Sequence, residues 1–179
     1  MPDLAFRVLG ADTASDAASP SVALQLEVSN RPAEERIHSV MLRCQVQIET
    51  PRRRYSDHEK SKLHDLFGEP ERWGQTLRAM LWTNVAIAVP EFTGAAQVEV
   101  NLPCTFDLDT GATKYFCALE EGTAPLTLLF SGAVFYHAAT TQIQMAPISW
   151  NSEARFAFPV AVWKRCFGRN EPGALKVGA

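Results

Sequence analysis

Four cysteines, four histidines and four tryptophans are the side chains of this sequence with the most chemistry to offer. His38 and Cys44 fall on one face of an alternating stretch. Strand rise sets residues six apart at roughly 20 Å, too far to share one ion, so both read as core filling. His58 and His64 lie on a predicted helix beside Asp57 and Asp65. Zinc-binding helices use i, i+4 histidines, and i, i+6 puts these two on different faces. Cys104 follows Pro103 on an apolar face. A catalytic thiolate needs a positive neighbour and access; Lys114 and His137 carry the charge, but nothing local brings them to Cys104. Cys44, Cys104, Cys117 and Cys166 form no CxxC pair and read as free buried thiols. No GxSxG, Walker-type or GxGxxG motif is present. These residues therefore assign no catalytic centre, no metal and no cofactor.

Binding candidates are easier to name. Arg52, Arg53 and Arg54 form the one basic run, and with Arg72 and Arg78 they could make a positive patch for an acidic partner or a phosphate. A solvated turn is the simpler reading of the same residues. Trp150, in the polar turn SWNS, is the best candidate for an exposed anchor at a partner interface. His38, Trp73, Trp82 and Cys104 are the residues that would line a pocket between the sheet and a helical insertion, the alternative reading.

The elements that must position these residues are mostly strands. The longest apolar run, Pro125 to His137, carries Leu126, Leu128, Phe130, Val134 and Tyr136 on one face and Leu129, Ala133 and Phe135 on the other. Such a strand is expected to be central and covered on both sides. Gly132 within it predicts a bend or a close backbone approach. Leu4–Leu9 predicts a first strand and Ala11–Pro20 a loop. Ser21–Ser29 and Ile37–Glu49 alternate cleanly and predict an antiparallel pair across the turn at Asn30–Glu35. In the second of these, His38 shares a face with Val40, Leu42 and Cys44.

Ser56 and Glu59 form a capping box for a helix over Asp57–Phe67 that stops at Gly68. Pro70 predicts a second helix with Trp73, Leu77, Met80 and Leu81 at helical spacing. Strands are predicted at Asn84–Val89 and Gln97–Leu108, with Pro103 marking an edge or bulge. A helix capped at Asp109 or Thr110 runs to Leu119, two strands flank SWNS at Thr141–Ile148 and Glu153–Val160, and a last helix follows Pro159. The sum is an α+β, mainly β fold. It predicts an antiparallel sandwich or curled sheet of seven or eight strands over residues 1–168, with a helical insertion at 56–83 and a flexible tail at 169–179.

The net charge of −3 argues against nucleic acid as a partner. No run approaches the ~18 apolar residues of a membrane span, and the first residues lack the basic start and apolar stretch of a signal peptide. A cytoplasmic location is expected.

Several passages carry a family resemblance. IHSVMLRCQVQIE (Ile37 to Glu49), LFGEPERWGQTLRAMLW (Leu66 to Trp82), VPEFTG, LPCTFD, KYFCALEEGTAPLTLLFSGAVFY (Lys114 to Tyr136) and FPVAVWKRCF cover most of Ala23 to Phe167. They are similar to an uncharacterised bacterial, mainly actinobacterial, domain of unknown function. Its members are often encoded near high-affinity nickel–iron hydrogenases. The resemblance carries no catalytic residue. It departs at DTGATKY, where an alanine-rich helix start is usual, and at FGRNEPGALKVGA, where an aromatic, basic segment is usual. It implies a non-enzymatic accessory or interaction protein whose partners are hydrogenase subunits or maturation factors.

Overall fold

The computed structural model describes residues 1–14, 20–104, 111–139 and 142–168. In chain order it contains β1 (Asp3–Thr13), β2 (Ser21–Arg31), β3 (Arg36–Ile48), α1 (Asp57–Phe67), α2 (Trp73–Thr76), β4 (Met80–Val89), β5 (Phe92–Thr93), β6 (Ala95–Pro103), α3 (Gly111–Ala118), β7 (Thr123–His137), β8 (Ile143–Pro147), β9 (Glu153–Pro159) and α4 (Val160–Gly168). One sheet has the order β1-β2-β6. The other has the order β4-β3-β7-β8, with β5 added to β3 and β9 to β7. All of the pairings are antiparallel. The expected sandwich of antiparallel strands is what the chain forms.

Alternation drives the assembly. Val22, Leu24, Leu26 and Val28 of β2 are fully buried, as are Val40, Val46 and Ile48 of β3 and Leu128 of β7. Each sheet must cover one apolar face, and the two faces cover each other. Phe6 of β1 stacks on Phe130 of β7, ring centres 4.1 Å apart, and so bolts the sheets together. The helices close part of the sandwich with aromatic rings: Phe116 of α3 packs on Trp82, Phe158 and Trp163.

Several expectations need correction. The adjacent segments β2 and β3 do not pair; they lie in opposite sheets. Both put a whole apolar face inward, which two sheets facing each other satisfy as well as a hairpin does. The link between them is an arch held by Asn30, whose side chain accepts from Asp3 N–H and donates to Pro32 O and Glu35 Oε1. The second predicted helix ends at Thr76, and Met80 and Leu81 instead open β4 opposite Ile48 and Gln47. Here the ladder to β3 outweighs the helical spacing. The predicted loop at Ala11–Pro20 begins late, because Ala11, Asp12 and Thr13 pair with Leu24, Ala23 and Val22. The strand predicted to reach Leu108 ends at Pro103 on the edge strand β6. The predicted caps Asp109 and Thr110 and the tail 169–179 lie outside the described residues.

The central strand β7 is flanked on both sides, by β3 and by β8 and β9, but among the described residues only one of its faces is packed along its length, with Thr127 the one buried side chain of the other. Leu126, Leu128, Phe130 and Val134 are buried, whereas Leu129 and Ser131 of the other face are exposed. Gly132 makes the close approach its position implied. Its φ is +130°, and a Cβ there would lie 2.0 Å from the Met41 carbonyl oxygen.

At one end of the sheets, Arg53 ties three segments together: its own turn, α1 and the link from α3 to β7. Its guanidinium makes paired bonds of 3.0 Å to the Glu59 carboxylate and donates to the carbonyls of Arg54, Glu121 and Thr123. Glu59 in turn accepts from the backbone N–H of Ser56, the second half of the capping box, and of Glu120. Burial pushes the Glu59 carboxyl up, but the Arg53 and backbone N–H bonds outweigh it and hold the group down to about 2.

Removing one partner of this buried pair strands the other. Glu59→Gln and Arg53→Met are each expected to cost about 3 kcal/mol in urea unfolding. Because the folded carboxyl sits below its unfolded value, its contribution is full above the ordinary carboxylate range. It is lost as pH falls from about 4.5 toward about 2, so acid should narrow the gap between wild type and Glu59→Gln. Gly132→Ala meets both backbone strain and a main-chain clash, and should lose about 3 kcal/mol or more, read from the same urea midpoints.

Candidate functional site

The outer face of the larger sheet has no layer packed on it among the described residues. Register places Leu81, Asn84, Ala86 and Ala88 of β4 beside Gln47, Gln45, Arg43 and Met41 of β3. Leu129, Ser131 and Ala133 of β7 come next, and then Met145 and Pro147 of β8. Eight large hydrophobic side chains are exposed among the described residues. Six of them are on this face: Met41, Leu81, Leu129, Ile143, Met145 and Trp150. Clustering of this kind marks a binding surface more often than chance exposure does.

Trp150 owes its position to an interruption in pairing. β8 pairs with Ala133–His137 and β9 with Thr123–Leu129, so the two are consecutive pieces of one line along β7. Between them the bonds from Ile148 N to Gly132 O and from Phe130 N to Ser152 O keep the line closed. Ser149, Trp150 and Asn151 are looped out opposite Ser131, with Ser149 Oγ bonded to Asn151 Oδ1. Trp150 is 93% exposed. It walls an open cavity of about 590 Å³ whose lining includes Arg43, Gln45, Asn84, Leu129 and Ser131. An aromatic wall and a cation beside amide and hydroxyl groups is a surface for contact, with no bonded nucleophile and base among them.

The remaining candidates are scattered. Of the basic run, Arg52 and Arg54 are exposed, while Arg53 is consumed by Glu59 and is not a solvated turn residue. The four pocket candidates do not converge. Trp73 is buried, with Nε1 donating to Gly68 O and its ring against Tyr55 and Phe67. Trp82 donates to Pro103 O and packs on Phe116. Cys104 is buried with Sγ 3.9 Å from Trp163 O, and burial pushes its thiol well up, the opposite of what an attacking thiolate needs. Cys44 is likewise buried and its thiol is pushed up to about 12.

His38 is a correction. A bulge separates the pairs Ile37–Tyr136 and Ser39–Phe135, so Ile37 takes the inward position and His38 is exposed. Simple alternation missed this because a bulge reverses the facing of every residue on one side of it. On α1, His58 and His64 lie on the solvent side, near Glu120 and Glu69 respectively.

By its fold and its open sheet face, this chain is an antiparallel β-sandwich with a helix-closed end and a tryptophan-tipped surface. It belongs to the DUF6084 family, a family of unknown function, whose model matches residues 1–177. No curated protein matches it. Among solved structures, it is similar to β-glucosidase 3B from Thermotoga neapolitana in complex with α-D-glucose. The identity is 10% and the TM-score 0.29, over 86% of this chain and 17% of that one. The chain thus spans about a sixth of that enzyme's length.

With Trp73 and Trp163 buried, Trp150 is the most accessible indole. Trp150→Phe should remove most of the acrylamide-quenchable fluorescence of the native protein while leaving its thermal midpoint unchanged.

Proposed function

We propose that this protein is a non-enzymatic accessory factor of the bacterial cytoplasm that binds a protein partner across the outer face of its larger sheet. Trp150 is the anchor. The observation that carries this reading is the gathering of exposed Met41, Leu129, Met145 and Trp150 on one open face around Arg43. Tryptophan and arginine are the residues that most often dominate interface energies. Flexible methionines suit a surface that adapts to its partner. Resemblance to a family encoded near nickel–iron hydrogenases makes hydrogenase subunits and maturation factors the first partners to test.

A second reading, small-molecule binding, is supported by the cavity beside Trp150. Its volume and its mixture of Arg43, Gln45, Asn84 and Ser131 with an aromatic wall suit a polar ligand.

The deciding experiment is affinity purification of wild type and Trp150→Ala from a native host, with mass spectrometry of co-purifying proteins. A partner recovered with wild type and depleted at least ~10-fold with Trp150→Ala supports the docking reading. Equal recovery with both, or no partner above a tag control, ends it.

A further inference from the structure

The bulge in β3 does more than turn His38 outward. It sets the His38 ring against His137, the last residue of β7, with ring centres 5.7 Å apart and planes at 79°. Ninety-nine positions of sequence separate the two histidines, so only the β3–β7 register brings them together. His137 Nε2 is buried and has no hydrogen-bond partner among the described residues. Leaving a buried ring nitrogen unpartnered is costly, and such groups mark places where a ligand completes the bonding. The Glu91 carboxylate, bonded to Arg36, lies within electrostatic reach of both rings.

We propose that His38 and His137 form a two-imidazole site for a divalent transition cation of the zinc type. Imidazole is the commonest protein ligand for such ions. A tetrahedral ion at the usual zinc–nitrogen distance places two ring centres about 5 Å apart. Closing the difference takes a shift of about 0.7 Å by the exposed His38 ring, with a turn that brings one of its nitrogens toward the ion. Among the described residues no group of three or more histidine, cysteine or carboxylate side chains is arranged to hold a metal. The protein therefore supplies two ligands. Water takes the remaining positions, and the affinity falls below that of a four-ligand structural site. This inference stands apart from the docking reading.

The test titrates zinc chloride into the intact protein by calorimetry, with imidazole resonances followed by NMR. One equivalent should bind saturably, and only the His38 and His137 rings should shift. His38→Gln should abolish binding, as should His137→Gln, while a His58→Gln, His64→Gln double variant should bind like wild type. His38 is exposed, so its variant is expected to fold and decides the matter if His137→Gln does not. Absence of saturable binding, unchanged binding in His38→Gln, or loss in the His58/His64 variant instead would overturn the proposal.

Discussion

The Arg53–Glu59 pair is the interaction on which the helical end of the molecule depends. A single guanidinium reaches the carbonyls leading into β7, the loop after β3 and the first turn of α1. The carboxylate it meets also receives the N–H that follows α3. The turn after β3, the start of α1 and the link from α3 to β7 thus converge on two side chains. Both charges are largely withdrawn from water, with side-chain exposures of 10% and 5%. Taking both out of water is tolerable because nearly every donor and acceptor on them is matched. The helices are therefore fixed by directional bonds where they meet the sheets, and by rings such as Phe116 and Trp163 farther in.

The two sheets follow a different logic. Their inner faces are aliphatic and need no directional partners, so the register is set elsewhere. Gly132 fixes it in β7, because no other residue tolerates the Met41 carbonyl so close. The β3 bulge fixes it at the other end by reversing the facing of Ile37 and His38. Between those points the outward side chains are free of packing duties, and this is where the exposed large side chains collect.

Much of the strand content was legible from alternation, and α1 from its cap, because those signals are local. Leu24, Leu126 and Phe158 are buried as period-two patterning implies. What was not legible was non-local. Whether β2 and β3 pair or face each other depends on the Asn30 arch, and both solutions bury the same residues. The fate of Met80 and Leu81 depended on a vacant edge of β3. Arg53 looked like one of three equivalent surface charges, since nothing in the run TPRRRY distinguishes the arginine that meets Glu59. Trp150 was legible as an exposed candidate because it sits among small polar residues. The pairing of His38 with His137 was not, because it requires knowing both the bulge and the neighbour strand.

The outpouching at Ser149–Asn151 separates two jobs along one line of backbone. The ladder on β7 resumes within a few residues on either side, so the tip bears no share of holding the sheets together. Its length and side chains are open to replacement without disturbing the core, which leaves specificity to drift, be exchanged or be engineered at that tip while the scaffold stays the same.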